Sequence, residues 1–500
     1  MNKRVIVIGA GIAGLTAGIY AQRSGFDVTI VERHAIPGGM CTSWKRNGYL
    51  FEGGIHWLTG SNPKYALYDI WREVGALSDS VKVLYDEPFR SVEWEGKTVY
   101  LYRDLRKLQA HFCEISPEDA PATRRLVSAV RAFTKVQMPI TDIKGVKAAH
   151  PRKMSMGALL KMLPAIPKMG KAGKLSIAEY TNTFKHPALR LLLNNIVPSA
   201  EEYNATSLLF TLATLAAGDG GYPEGGSLAM TKRMADTFTG LGGRILYKTK
   251  ADKVITRDGA AIGVSIGNAD GASAGGEVLA ADAVIVTQET LAAAERLFDT
   301  PPKDEWLLNL KRDVKPAVCC FIGIGVRAKL SETPMFELPE PVQCGGFSYP
   351  TLGFNNYSNY PGYAPEGCTA LTTALMGDSY DFWKKARDEG RYEAGKKAVA
   401  EQVVRALCQK YPEAEGKIDV VDVATPLTYE RYTGASKGSW MSIMGKGETP
   451  ASACPCTLED TKAVYFAGHR TILPGGLPGA LMSGRNAAQM VCRQFDVVFM

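Results

Sequence analysis

Val5-Ile6-Val7-Ile8 runs straight into Gly9-Ala10-Gly11-Ile12-Ala13-Gly14, and Asp27-Val28-Thr29-Ile30-Val31-Glu32 comes a helix-length interval later. Four consecutive β-branched residues are the pattern of a strand buried on both faces. Leu15 to Arg23 reads as a helix and Asp27 to Val31 as a returning strand, closed by Glu32. Each glycine has its own reason. Gly9 permits the tight turn, Gly11 lets bare backbone approach a pyrophosphate, and Gly14 lets helix and strand pack closely. Ile12 and Ala13 open the helix, whose unpaired N–H groups and dipole favour phosphate. Glu32 is placed to accept hydrogen bonds from ribose hydroxyls, and its charge disfavours a 2′-phosphate. The stretch predicts a Rossmann-type unit with a parallel sheet and a bound dinucleotide.

The next glycines lengthen the ligand. Arg33-His34-Ala35-Ile36-Pro37-Gly38-Gly39-Met40 brings two of them soon after the ribose acid, and Tyr49-Leu50-Phe51-Glu52-Gly53-Gly54-Ile55-His56-Trp57 brings two more. Repeated close backbone approaches suit a ligand that runs on from the pyrophosphate through ribitol to an isoalloxazine ring. A nicotinamide dehydrogenase usually lacks this second glycine-rich tract. The far end answers it with Val464-Tyr465-Phe466-Ala467-Gly468-His469, then Pro474-Gly475-Gly476-Leu477-Pro478-Gly479-Ala480, then a final helix from Leu481 to Val491. A helix start there aims N–H groups at an electron-rich acceptor such as the flavin N1/O2 edge. The expected cofactor is FAD, held noncovalently.

These motifs resemble the FAD-dependent amine-oxidase-like flavoproteins, and within them the branch of phytoene desaturases, carotenoid isomerases and retinol saturases. Phe51-Glu52-Gly53-Gly54-Ile55-His56-Trp57-Leu58-Thr59-Gly60 looks more like the saturases and isomerases than the desaturases. Tyr222-Pro223-Glu224-Gly225-Gly226, a helix to Gly240, then Gly242-Gly243-Arg244-Ile245 and Lys253-Val254-Ile255 match a middle signature. The resemblance implies that the Val254 backbone meets the adenine. Where relatives often carry an acid after the C-terminal Ala-Gly, this chain has His469.

Five hundred residues exceed one ordinary core. Motifs distant in sequence must share one cofactor, so the FAD-binding domain is expected from 1–75 with 222–300 and 455–500. Residues 76–221 with 301–454 then form a discontinuous α+β substrate domain carrying a helical insertion. Phe89 to Tyr102 reads as a hairpin through Glu95-Gly96, 104–220 as mainly helical, and Tyr392 to Lys410 as a helix.

The net charge of +7 is concentrated. Lys144, Lys147, Arg152, Lys153, Lys161, Lys168, Lys171 and Lys174 fall in a stretch without Asp or Glu, interleaved with Met154, Met156, Met162, Met169 and Ala158-Leu159-Leu160. Residues 144–174 therefore read either as a peripheral membrane-facing segment or as a solvated loop broken by Pro164 and Pro167. No nucleic-acid module accompanies the basic cluster. No uncharged apolar run reaches the length of a spanning helix, and the Gly-rich unit explains the apolar N-terminus better than a signal peptide does. The expected location is cytoplasmic, with peripheral attachment to the inner membrane face as the alternative to a free protein. The ten cysteines show no CxxC and no Cys/His knuckle, so no metal is expected, and Cys319-Cys320 and Cys454-Pro-Cys456 read as reduced thiols.

No second GxGxxG stands behind a strand, so nothing marks a dedicated NAD(P)H domain. The electron donor or acceptor stays open among a quinone, oxygen, a small redox partner and free reduced cofactor, and redox-neutral isomerisation stands beside them. His56, in a tract expected beside the flavin, is the catalytic candidate: a proton donor at an unperturbed pKa near 6.5, or a hydrogen-bonding partner of the ring. Tyr432, Trp440 and Met441 are candidate pocket residues. The run Phe347, Tyr349, Phe354, Tyr357, Tyr360, Tyr363 reads better as a Tyr-rich surface turn than as a binding face. The expected function is an FAD-dependent oxidoreductase saturating, desaturating or isomerising double bonds of an apolar polyene. The alternatives are a flavin amine oxidase, against which stands the lack of a cysteine for covalent flavin near Gly475-Gly476, and a non-catalytic prenyl-binding chaperone of the same fold.

Overall fold

The β-branched run at the N-terminus becomes the middle of a five-stranded parallel sheet, ordered 464–466, 283–286, 4–8, 27–31, 244–246. The computed structural model describes residues 2–500 apart from 137, 139, 155, 198, 270–275, 448–453, 473 and 474, and the side chain of 158. Pro474 of the C-terminal glycine tract thus lies outside the described residues. Strand Arg4–Ile8 is flanked on one side by Asp27–Val31 and on the other by Ala283–Val286, so the chain reverses direction across the sheet at Arg4–Ile8. Ligands of doubly wound sheets sit at the carboxyl ends of the strands at such a switch point. Helix Ile12–Arg23 covers one face, and the C-terminal helix Gly476–Gln494 packs on it. Their contact is close enough that a Cβ at Gly484 would lie 2.3 Å from the Ala13 carbonyl oxygen.

A second sheet is antiparallel, ordered 355–356, 369–376, 319–326, 418–424. Strand Cys319–Val326 is wholly buried, and its alternating glycines receive strand Tyr49–Glu52: a Cβ at Gly323 would meet the Phe51 ring at 2.5 Å, and one at Gly325 the Tyr49 ring at 2.6 Å. Helix Tyr392–Lys410 forms over the residues read for it, and the hairpin Arg90–Trp94/Lys97–Leu101 turns at Glu95-Gly96, both at positive φ. A third layer is helical, with its own apolar cluster around Phe112, Leu126, Phe133, Leu189 and Leu208. All ten cysteines are free thiols. Among the described residues no helix is long and apolar enough to cross a membrane.

Residues 144–174 are not one basic loop. Their first part is strapped to the C-terminus: Ala149 N–H donates to Phe499 O (2.9 Å), Lys147 pairs with Asp496 (2.6 Å), and Arg152 pairs with Glu73. Acids distant in sequence thus neutralise two of the eight cations. The second part is helical, Met156–Met162 and Ile166–Ala172, broken at Leu163–Ala165 where Pro164 falls, with Pro167 in the first turn of the second helix.

Candidate functional site

One cavity of about 2260 Å3 runs between the parallel sheet, the antiparallel sheet and the helical layer. Pockets for one drug-sized ligand span roughly 300–1,000 Å3, so this one has room for a dinucleotide and a second molecule.

At one end the glycine turn is built as its spacing implies. Gly9 takes φ +107°, a conformation only glycine adopts without strain. Gly14 faces inward: a Cβ there would sit 1.9 Å from the Gly9 carbonyl oxygen, so this glycine serves helix–strand packing and does not line the cavity. Gly11 differs, because a Cβ there would meet only Gly38 O at 3.8 Å, and the added atom would enter the cavity. Gly38 N–H donates to Ala10 O (2.9 Å), which straps the second glycine tract onto the first. Gly39 and Met40 continue the wall from there, and Ile12 and Ala13 present the helix start. Glu32, 7% exposed, accepts from Ala10 N–H at one carboxylate oxygen and from His34 N–H at the other, each at 2.8 Å. That fixes its plane and leaves lone pairs free toward the cavity. Arg33 lines the same end and donates to Arg431 O. Val254 is off the wall: its N–H donates to Leu297 O (2.8 Å), and the adjoining lining comes from Thr249 to Asp252 and from Leu297.

In the middle, Glu52 is fully buried and forms no ion pair among the described residues. One carboxylate oxygen accepts from Gly54 N–H (2.8 Å), Ile55 N–H (3.1 Å) and Ser227 Oγ. The other accepts from Ser227 N–H (2.9 Å) and the hydroxyls of Tyr222 (2.7 Å) and Tyr363 (3.5 Å). This network holds the Gly53–His56 backbone against the cavity. Gly54 and His56 line it, whereas Ile55 points into the core. Tyr357 stacks on Tyr363 at 4.7 Å and both are buried, so the surface-turn reading of the tyrosine run is overturned. The ring cluster seats Glu52, and Phe347, Tyr349 and Phe354 reach the cavity wall. Tyr432, Trp440 and Met441 also line it.

The C-terminal tract closes the cavity. Gly468 N–H donates to Ser483 Oγ (2.9 Å), and Gly475 and Gly476, at φ +92° and +73°, lead into the helix with Leu477 at the wall. Among the described residues, the buried His469 Nδ1 has no hydrogen-bond partner, and neither has His56 Nδ1. Buried polar atoms in proteins are nearly always paired, and two such atoms in one cavity wall are the mark of a polar ligand. Burial, then the field of Arg90, pushes His56 down to about 4. Burial, then Arg470, pushes His469 down to about 3. Both imidazoles are neutral at physiological pH. The expectation that His56 keeps a pKa near 6.5 is therefore corrected.

Sequence reasoning missed the ion pair of Arg470 with Glu289 (2.9 Å), each side chain 4% exposed and both lining the cavity. Glu289 also caps helix Thr290–Arg296 through Leu291 and Ala292 N–H groups, and Arg470 donates to Ser442 and Ser439 hydroxyls. The available signal was an acid placed just after the buried strand Ala283–Val286. Glu289→Gln leaves a buried guanidinium uncompensated and should cost about 3–5 kcal/mol. Adding Arg470→Met should restore part of it in urea unfolding; a single variant as stable as the parent would contradict the pairing.

Residues 12–492 match the family described as flavin containing amine oxidoreductase. The chain is 24% identical to a lycopene-forming phytoene desaturase of Pseudescherichia vulneris, over 98% of this chain and 99% of that one. It is 21% identical to prolycopene isomerase 1 of an Oncidium hybrid cultivar (98% and 84%) and 21% identical to an all-trans-retinol 13,14-reductase of Danio rerio (96% and 85%). In fold it is similar to an oxidoreductase from Methanosarcina mazei, with a TM-score of 0.60 at 16% identity over 96% and 98% of the two chains. The glycine turn, Glu32 and the C-terminal helix start thus stand in one cavity of a chain that belongs to the flavin containing amine oxidoreductase family, an FAD-dependent oxidoreductase of its carotenoid desaturase, isomerase and retinol reductase branch.

Proposed function

We propose that the chain acts on carbon–carbon double bonds of an apolar polyene, with FAD held by 1–75, 222–300 and 455–500 and the substrate by 76–221 and 301–454. The observation that carries this reading is the cavity itself. It is polar and glycine-lined at the Glu32 end and continues into a chamber walled by Met162, Met169, Leu191, Ile196 and Phe210. A long apolar substrate fits that second half; a small amine has no need of it. Bound FAD supplies hydride transfer at the flavin ring. In this reading Gly11, Gly38 and Gly39 offer backbone to the pyrophosphate, Glu32 takes the ribose, and Gly468, Gly476 and Leu477 offer backbone to the ring and ribitol. His469, neutral, replaces an acid as a ribitol partner. Gly11→Val should give folded, colourless protein, whereas Gly14→Val should fail earlier, in folding. Stoichiometric FAD in the first variant would overturn the placement.

His56 works in this scheme as a neutral hydrogen-bonding group at the cavity wall, orienting substrate or ring without releasing a proton as an imidazolium. The form it needs is lost only as pH falls through about 4. Turnover that depends on His56, read as the ratio of parent to His56→Phe rates, should stay level from pH 5.5 to 8 and fall toward acid. A ratio that instead declines as pH rises through 6.5 would restore the acid role.

Helices Met156–Met162 and Ile166–Ala172 support membrane delivery of the substrate. Met162 and Met169 face the cavity, while Met156, Leu159, Leu160, Leu163 and Ile166 are exposed beside Lys161 and Lys171. Apolar side chains flanked by lysines suit an anionic bilayer surface, at about 1 kcal/mol per cation. Reversing Lys161, Lys168, Lys171 and Lys174 to Glu should release the protein from anionic liposomes. Undiminished binding of that variant would remove the idea.

A further inference from the structure

Arg90 is a cation in the cavity wall, and among the described residues no carboxylate forms an ion pair with it. It opens strand Arg90–Trp94 and lies 4.6 Å over the Phe89 ring. Of its five N–H donors, one bonds Phe89 O (3.2 Å) and one Asn355 Oδ1 (2.7 Å), both neutral partners. Burial lowers its pKa, and the Tyr357 phenol, Asp86 and the Tyr360 phenol oppose that only through space. The Asp86 carboxylate accepts from Tyr360 (2.5 Å) and stands exposed at the cavity edge. The two fully buried arginines are, by contrast, matched: Arg470 with Glu289 at 2.9 Å, and Arg485 with Asp142 at 2.6 Å. Arg90 itself is half-buried and opens on the cavity, so a ligand that excludes water there leaves the guanidinium costly to shield unless it brings an anion.

We infer that Arg90 receives an anionic group of the substrate, and that the polyene taken here is an apolar carboxylic acid rather than a hydrocarbon. Three N–H donors remain on the planar guanidinium, one on each nitrogen, and adjacent pairs of them match a carboxylate. Asn355, which accepts from one terminal nitrogen, itself donates to Thr372 Oγ1 (3.3 Å), so the guanidinium is held before a ligand arrives. Around it the wall is apolar and aromatic: Phe89 lies beneath, and Trp57 meets Phe89 edge-on at 5.9 Å. His56 lines the same cavity and feels the Arg90 charge. A headgroup held there lets the chain run on into the methionine- and leucine-walled chamber. This inference rests on the polyene reading and narrows it.

The test titrates the FAD-loaded protein with all-trans-retinoic acid, its methyl ester, retinol and decanoate, following perturbation of the flavin absorbance. Charge-assisted bonds of this kind should make the acid bind about tenfold or more tightly than the ester. Arg90→Gln should erase that preference while leaving ester affinity nearly unchanged, and Arg90→Lys should keep part of it. Equal binding of acid and ester by the parent, or an intact preference in Arg90→Gln, overturns the anion site and leaves the polyene reading standing. Binding of decanoate alone, lost in Arg90→Gln, keeps the anion site and overturns the polyene reading. Binding of none of the four overturns both. If Arg90→Gln does not retain FAD, competition in the parent decides: decanoate displacing retinoic acid supports the site, and decanol doing so equally well overturns it.

Discussion

The Glu52 carboxylate is the constraint on which the site depends. It is fully buried and forms no ion pair among the described residues, so its charge is carried by backbone N–H groups and hydroxyls. Such a group is tolerable only when its lone pairs are filled, because an unsatisfied buried charge costs many kcal/mol. Filling them joins its own loop to two distant parts of the chain, 222–227 and Tyr363. Gly54 and Ile55 come from its own loop, Ser227 from the start of helix Gly226–Gly240, and Tyr222 and Tyr363 from segments far apart in sequence. One carboxylate thereby sets the height of the Gly53–His56 backbone at the cavity wall. A helix start that donates to an anion adds its dipole to the same end.

The glycines complete that constraint by removing volume. At Gly323 and Gly325 the missing side chains admit Phe51 and Tyr49, which seat the strand ending in Glu52 on the antiparallel sheet. At Gly484 and Gly14 they admit neighbouring backbone. Gly11 is different in kind, because the space beside it belongs to the cavity. A glycine that packs and a glycine that exposes backbone look alike in sequence, and only the distance from a hypothetical Cβ separates them.

That distinction marks what could be read in advance. The strand, glycine turn, helix and returning strand at the N-terminus, the hairpin at Glu95-Gly96 and the helix Tyr392–Lys410 arise from local periodicity and turn chemistry, and they stand where the pattern put them. The tyrosine run reads as exposed because its neighbours in sequence are polar, whereas its partners, Tyr222 and Glu52, lie far away in the chain. The Arg470–Glu289 pairing likewise joins residues far apart, with only an acid after strand Ala283–Val286 to hint at it, and so does the neutralisation of Lys147 and Arg152 by Asp496 and Glu73. Charge counted along a sequence cannot tell a free cation from one paired across the fold.

Electrostatically, the cavity then divides into matched and unmatched parts. Arg470 and Glu289 cancel each other at the wall, yet burial, with the remaining field of Arg470, still suppresses protonation of His469. Around His56 the same suppression comes from burial and Arg90. Two neutral imidazoles in the wall can donate or accept hydrogen bonds without changing charge. A proton needed at a substrate carbon must then come from a group other than an imidazolium. The nearby phenols do not meet that need unaided: burial, the first cause at each of Tyr357, Tyr360 and Tyr363, raises their pKa, so they hold their protons more tightly than a free tyrosine does. Solvent reaches the wall at the exposed Asp86–Glu87 edge of the cavity, so in the proposed reaction water admitted there is a proton source that needs no acidic side chain.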